Sequence, residues 1–364
     1  MKNIAFYIAH PSQFFVFKST IEGLQLHHKV FIYIKSKDIL EDVLKQHEIS
    51  YCNISEKPKK NIFFGNTINL FTRTTKLLSL FRKDKIDLLF TCASYSSQAS
   101  FFLGIPSIVL NDDDYSVIKK SAILGWPFSS IILAPKSCSM GFWKRKTYFY
   151  DGYQKLGYLH PNQFSPNFEV LDKYKLRANN YIIIRMVSLT AHHDSGINGI
   201  NLRLLEQIVS ELSTVGDIII SSEIELPKKL RRFQSRIDHR DIHHLIYFSK
   251  LLIGDSQSMA HEAALLGTPS IRINDFKDKI GVLKELEYKY GLTFSFLPQH
   301  YNEIKTKINF LVKEENSYFN KRREKMLENK IDLSKLLIWL SNDFKKNKKL
   351  LLNDINGETN KLFL

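Results

Sequence analysis

Two stretches of this chain place polar, ionisable residues where an apolar strand gives way to a turn. The first is Leu251 to Asn274, LLIGDSQSMAHEAALLGTPSIRIN. A short apolar strand ends at Gly254. The turn Asp255-Ser256-Gln257-Ser258 opens a helix through His261 and Glu262, and Gly267-Thr268-Pro269 stops it before another strand. N–H groups at a helix start lack intrahelical partners, and the helix dipole is positive there. Small residues at such a point let a phosphate approach and form a pyrophosphate cradle. An ordinary N-capped βαβ unit, with Asp255 or Ser256 as cap, would use the same residues. The second stretch is Thr190-Ala191-His192-His193-Asp194-Ser195-Gly196. Adjacent histidines on extended backbone point in different directions. One of them could bind a phosphate or act as acid or base near neutral pH, with Asp194 orienting it. A capped polar loop is the alternative. Zinc is disfavoured, because no Cys or His stands at ligand spacing.

Shorter motifs have the same placement. His10-Pro11-Ser12-Gln13 directly follows the first apolar strand, and His10 suits either a general base or a residue satisfied by backbone where a helix begins. Asn111-Asp112-Asp113-Asp114 follows the apolar run 106–110. Such acids cap helices and fill turns, or supply a base or acceptor ligand, with Asp112 the leading candidate. Ser221-Ser222-Glu223 ends another strand, where Ser222 and Glu223 are placed to line a site. Arg185 lies inside an apolar strand, and a buried arginine needs a carboxylate or anion; a structural salt bridge is the expected role. The chain carries no Gly-x-Gly-x-x-Gly, no P-loop and no His-Glu-x-x-His.

These motifs need strand ends to hold them, and the hydrophobic pattern supplies strands alternating with helices. In the first half, strands are expected at 3–9, 29–35, 50–53, 86–91, 106–110, 130–134 and 146–150. Helices are expected at 12–27, 36–48, 66–83 and 95–103. Residues 151–178 break the rhythm with Gly152, Gly157, Pro161 and Pro166. The pattern restarts with strands at 181–187, 216–222, 250–254 and 269–273, and helices at 199–213, 239–248 and 256–266. Leu333, Leu336, Leu337, Leu340 and Phe344 give a late amphipathic helix. The expected division is an N-terminal Rossmann-like domain at 1–155, a linker at 156–178, a C-terminal Rossmann-like domain at 179–330, and a helix with a basic tail at 331–364. Two doubly wound α/β domains facing a central cleft would bind ligands beyond the carboxyl ends of their strands.

Composition bounds the function. The 364 residues are 44% hydrophobic and 24% charged, an ordinary globular balance. No apolar run approaches the ~20 residues needed to span a bilayer. His10-Pro11 interrupts the apolar N-terminus and no small-residue cleavage site follows, so a cytoplasmic protein is expected. Cys52, Cys92 and Cys138 are sparse, follow no metal spacing, and are expected to be small buried hydrophobes. The net charge of +15 points to an anionic partner. Its one dense block, Lys345, Lys346, Lys348 and Lys349 before Leu350 to Leu352, is either a frayed terminus or a peripheral contact with an anionic membrane. The charge is otherwise diffuse and lacks interleaved aromatics, which argues against nucleic acid as a partner.

The segment 251–274 resembles the nucleotide-binding segment of GT-B glycosyltransferases and of the non-hydrolysing UDP-N-acetylglucosamine 2-epimerases. Both have a Ser/Gly-rich turn, a helix with a glutamate, then Gly-x-Pro and a strand. The whole chain resembles a family of uncharacterised predicted glycosyltransferases, through YDGYQKLGYLHP (150–161), IIIRMVSLTAHHDSGINGI (182–200), SSEIELP (221–227) and IGDSQSMAHEAALLGTP (253–269). The resemblance implies that Ser256, Gln257 and Ser258 face a diphosphate and Glu262 the ribose hydroxyls. It implies that His10 enters the cleft as general base, while His192, His193 and Asp194 work on the donor side. The implied reaction is transfer of a sugar from a nucleoside-diphosphate sugar to a glycan or lipid-linked acceptor in cell-surface polysaccharide biosynthesis, with no cofactor and no metal. A sugar-nucleotide epimerase of the same fold is the alternative, although Gln257 and Ser258 stand where the epimerases have paired glycines. Asp112-x-Asp114 resembles the metal-binding Asp-x-Asp of GT-A glycosyltransferases, but that fold has one domain.

Overall fold

A computed structural model of the protein describes residues 1–36, 39–54, 65–187, 198–275, 277–354 and 357–364, with backbone alone for residues 65–70. The chain divides into two compact units, Met1–Gln163 with Lys330–Leu364, and Phe164–Asn329. The first unit thus ends within the segment read as a linker, whose residues Leu156–Leu159 are helical. It also recovers the C-terminal stretch, in which the four lysines lie on the helix Phe344–Asn353.

The first unit holds a seven-stranded parallel sheet: β1 (Asn3–Ile8), β2 (Lys29–Ile34), β3 (Cys52–Asn53), β4 (Leu88–Thr91), β5 (Ser107–Leu110), β6 (Ile131–Pro135) and β7 (Thr147–Tyr150). The order is β3-β2-β1-β4-β5-β6-β7. Helices cover parallel sheets on both faces, so the strands read as continuous apolar runs instead of alternating ones. Ile4 through Ile8 of β1 are accordingly all buried. Phe6 stacks on Phe90 of β4 with ring centroids 5.0 Å apart, and Phe17 of the following helix packs edge-on at 5.2 Å. The opposite face carries Ala5, Tyr7, Tyr33, Leu77 and Phe81. Cys138 is buried and Cys92 half-buried, but Cys52 is exposed, contrary to expectation, because β3 is the sheet edge.

The second unit holds five parallel strands, β8 (Tyr181–Met186), β9 (Asp217–Ser222), β10 (Leu251–Gly254), β11 (Ser270–Ile273) and β12 (Thr293–Phe296), in the order β12-β11-β10-β8-β9. Leu204, Leu205, Ile208 and Leu212 of the helix Leu202–Leu212 pack on Ile182, Ile184 and Ile220 of the sheet. Gly254 closes β10 opposite Arg185 of β8. A Cβ there would lie 2.6 Å from the Arg185 carbonyl oxygen, so only glycine lets the two strand ends approach this closely.

Each sheet has one point at which strand order reverses. In the first unit it lies between β1 and β4, and in the second between β8 and β10. The loops beyond the carboxyl ends of these strands are where open α/β sheets bind ligands. His10 follows β1, Cys92 follows β4, and Asp255 follows β10.

Candidate functional site

In the second unit the helix Gln257–Leu266 starts directly beyond β10. Ser256 has extended backbone, and its hydroxyl accepts the Met259 N–H at 3.3 Å, the geometry of an N-cap. Gly267 ends the helix in the left-handed region at φ 86°, which explains the Gly-x-Pro stop. Asp255, 2% exposed, is not the cap. Its carboxylate accepts the Val187 N–H at 2.8 Å and ties the end of β10 to the end of β8. Burial pushes its pKa up to about 6, against backbone hydrogen bonds that favour the charged form.

A chain of polar contacts fixes this helix start. Asn274 donates to the Asp255 carbonyl at 2.9 Å and accepts from the Gln257 amide at 3.1 Å. Arg272, 1% exposed on β11, donates to Gln257 Oε1 at 2.6 Å and lies 3.8 Å from the Glu287 carboxylate. Burial lowers its pKa to about 10. Glu287 in turn accepts from the Ser295 N–H and hydroxyl at 3.0 and 2.7 Å. The Gln257 side chain is therefore committed to Arg272 and Asn274, which leaves it bonded within the protein instead of facing a diphosphate as expected. Ser258 Oγ donates to Glu262 Oε1 at 3.4 Å one turn on, and Glu262 Oε2 lies 3.5 Å from His243 Nε2. Both Glu262 and His243 are buried.

Ser256, Gln257, Ser258 and Glu262 thus share two turns of one helix. Ser222 and Glu223 stand at the end of β9. The Ser222 hydroxyl donates to the Ile224 carbonyl at 2.7 Å, and Glu223 pairs with Arg185, which also donates to Ser221 Oγ at 2.8 Å. The arginine in the apolar strand β8 has the carboxylate partner that its position demands. Arg272 carries the same signal, a cation inside the apolar strand β11, and went unread, as did His243. His192, His193 and Asp194 lie outside the described residues.

In the first unit His10 is the N-cap of the helix Pro11–Gln25. Its Nδ1 accepts the Ser12 N–H at 3.2 Å and lies 2.8 Å from Ser12 Oγ. Holding this cap keeps the ring proton on Nε2, so the outer nitrogen of the neutral ring donates rather than accepts. His10→Ala should cost about 1 kcal/mol of stability through the lost cap, and His10→Asn should restore it. Urea denaturation of the three proteins checks this, and equal midpoints would remove the capping role.

Beyond β5, Asn111 Nδ2 donates to the Asp113 carbonyl at 2.6 Å, and the Asp114 carboxylate accepts the Ser139 N–H. Asp112 and Asp113 are half-buried. Burial raises the Asp112 pKa and pushes Asp113 up to about 7, with the Asp112 charge adding to the latter and Lys155 opposing both. Gln154 and Lys155 follow β7, and Lys155 is 7% exposed. With its nitrogen turned to Asp112, the Gln154 amide reaches the two carboxylate oxygens at 2.8 and 3.1 Å; turned the other way, it donates to Cys92 Sγ at 3.2 Å. An ionised Asp112 selects the first orientation, and a protonated one donates to the amide oxygen in the second. Among the described residues no group of three or more His, Cys, Asp or Glu is placed to hold a metal ion.

No protein-family model and no curated protein matches the chain. Solved structures do. The UDP-GlcNAc 2-epimerase from Neisseria meningitidis bound to UDP-GlcNAc is 15% identical with a TM-score of 0.66, covering 93% of this chain and 99% of that one. Acinetobacter baumannii MurG is 10% identical with a TM-score of 0.61, covering 93% and 99%. The glycotransferase of kitacinnamycin is 9% identical with a TM-score of 0.59, covering 95% and 99%. At these identities the likeness establishes the fold, and it runs along nearly the full length of each chain. The chain has the GT-B fold, α/β with two parallel sheets flanked by helices.

Proposed function

We propose that this chain is an enzyme that binds a nucleoside-diphosphate sugar on its C-terminal unit and transfers the sugar to a glycan or lipid-linked acceptor. The observation that carries the reading is the helix Gln257–Leu266, which starts at the strand-order reversal with a serine cap and holds the buried Glu262 two turns in. Its first-turn N–H groups and positive dipole end suit a diphosphate, and the Glu262 carboxylate suits a diol. The solved epimerase of this fold with bound UDP-GlcNAc lends support to a UDP-sugar. In this reading Asp112 or Asp113 takes the proton of the acceptor hydroxyl, and His10 serves as the cap of its helix.

A sugar-nucleotide 2-epimerase is the second reading, favoured by the same structural likeness. Incubation with UDP-GlcNAc and no acceptor separates the two: an epimerase turns the nucleotide sugar over, and a transferase leaves it unchanged. Thermal stabilisation by a panel of sugar nucleotides identifies the donor, since a ligand at 100 times its Kd stabilises by ~2.7 kcal/mol. Failure of every nucleotide to stabilise the protein would overturn both readings.

Transfer should survive EDTA, because helix N–H groups rather than a cation offset the diphosphate charge. Activity lost in EDTA and restored by Mn²⁺ would make Asp112 and Asp114 metal ligands instead. No helix among the described residues is long and apolar enough to cross a membrane. A cytoplasmic enzyme touching an anionic membrane through Lys345 to Lys349 fits a lipid-linked acceptor and polysaccharide biosynthesis, at ~1 kcal/mol per near-surface charge.

A further inference from the structure

Away from the strand ends, the first unit exposes a run of aromatic and aliphatic side chains. Phe101 and Phe102 end the helix Ser97–Phe102 and are 55% and 65% exposed. Both rings meet Phe128, at centroid distances of 5.4 and 6.2 Å. Phe128 belongs to the 3-10 turn Trp126–Phe128, whose buried Trp126 packs edge-on against Trp143 at 5.8 Å. Trp143 in turn meets the exposed Phe142 at 4.7 Å. Ile123 and Leu124 extend the run from the helix Lys119–Gly125. The Gln98 amide ties that helix to the first by donating to the Leu124 carbonyl at 2.7 Å. Exposed apolar side chains are common singly, whereas a contiguous group marks a docking surface.

Charge indicates what docks. Helical spacing sets Lys119 beside Ile123 and Lys120 beside Leu124, all four exposed. Lys144 and Arg145 closely follow Phe142, and Lys146 donates to the Trp126 and Pro127 carbonyls at 3.0 and 2.7 Å. From Ser94 to Lys146 the only acids are Asp112, Asp113 and Asp114, half-buried or buried. Among the described residues no carboxylate pairs with Lys119, Lys120, Lys144 or Arg145. A second copy docked face to face would set these cations against themselves. An anionic bilayer takes up both the charge and the rings, which settle at the boundary of headgroups and acyl chains. We propose that this face lies on an anionic lipid surface, with Phe101, Phe102 and Phe142 inserted and Lys119, Lys120, Lys144 and Arg145 at the headgroups. The contact through Lys345 to Lys349 is electrostatic, and this face adds the apolar anchor; stable attachment takes two such signals. Burial, and then the charge of the nearby Lys348, lower the Lys146 pKa, which sets the lysine helix beside this face. The face extends that membrane contact and does not depend on the sugar donor.

The test is co-sedimentation of the full chain with vesicles of equimolar phosphatidylglycerol and phosphatidylcholine, with pure phosphatidylcholine vesicles as the control. The protein should be retained on the first and not on the second. Phe101→Ser with Phe102→Ser should weaken retention at least tenfold at the parental melting temperature, since both rings are exposed. Lys119→Glu with Lys120→Glu should do the same. No retention on either vesicle, or equal retention on both, overturns the proposal. Retention untouched by the phenylalanine pair, but lost when Lys345, Lys346, Lys348 and Lys349 are all replaced by Ala, overturns it in favour of the lysine helix alone. A dimer in analytical ultracentrifugation that the phenylalanine pair dissolves, without vesicle binding, overturns it in favour of a second copy. No nucleotide or acceptor enters these measurements, so the transferase reading stands or falls separately.

Discussion

Replacing Glu262 by Gln is expected to weaken donor binding ten- to a hundredfold while the protein stays folded. Glu262 is buried on the second turn of the helix Gln257–Leu266, between the Ser258 hydroxyl at 3.4 Å and His243 Nε2 at 3.5 Å. These neighbours hold the carboxylate in one orientation before any ligand arrives. A ribose diol would donate both hydroxyl hydrogens to it, and hydrogen bonds to a charged group contribute about 1.5–3 kcal/mol, a factor of roughly 10–150 in Kd. Gln keeps the volume and one acceptor oxygen but loses the charge and the second acceptor. Ala is the poorer test, because it leaves His243 buried beside a void and mixes stability with affinity. Calorimetric titration with the nucleotide that stabilises the parent protein gives the answer. An unchanged Kd in a Gln variant of parental melting temperature would remove Glu262 from the donor site.

What the amino-acid pattern shows of this fold depends on how local the cause is. The apolar runs at 3–9, 181–187 and 250–254 became β1, β8 and β10, since strands buried on both faces need uninterrupted apolar residues. The strand β12 is four residues with alternating burial, too short to stand out. The helix Asn316–Leu327 buries only Phe319 and Met326, so it shows no apolar stripe. The return of residues 330–364 to the first unit rests on contacts far apart in sequence. Lys330 pairs with Asp151 at 2.8 Å, and the Ser334 hydroxyl donates to the Gly157 carbonyl at 2.9 Å. No periodicity encodes them. The same holds at the site. The cap at Ser256 and the stop at Gly267 are local and were legible, whereas the use of Gln257 as a bridge between Arg272 and Asn274 is tertiary. His10 was open between base and cap, and only the Ser12 contacts give it the cap.

In the proposed reading the proton-accepting role goes to Asp112 and Asp113, where the largest kinetic effect is expected. The two carboxyls are adjacent in sequence and half-buried, so they titrate as a pair rather than singly. Burial disfavours both charges, and the Asp112 charge further raises Asp113, to about 7. The nearby Lys155 opposes the rise at both carboxyls. A group titrating near the working pH is the most effective general base, worth roughly 10²–10⁴-fold. With saturating acceptor, kcat should therefore rise with pH through an apparent value near 7. Asp112→Asn and Asp113→Asn should each lower kcat by about that factor with donor Kd nearly unchanged. Stability supplies a second readout of opposite sign. The folded pKa of Asp113 lies above its ordinary 3.8, so the native state holds the extra proton and loses stability as pH rises from about 4 to about 7. Asp113→Asn removes that penalty. The variant should be more stable than the parent above pH 7, by about 1–3 kcal/mol given partial exposure, and equal to it near pH 4. Urea denaturation across this range, beside kcat, measures both. A variant with near-normal kcat, or a stability difference that does not change with pH, would take the pair out of the mechanism.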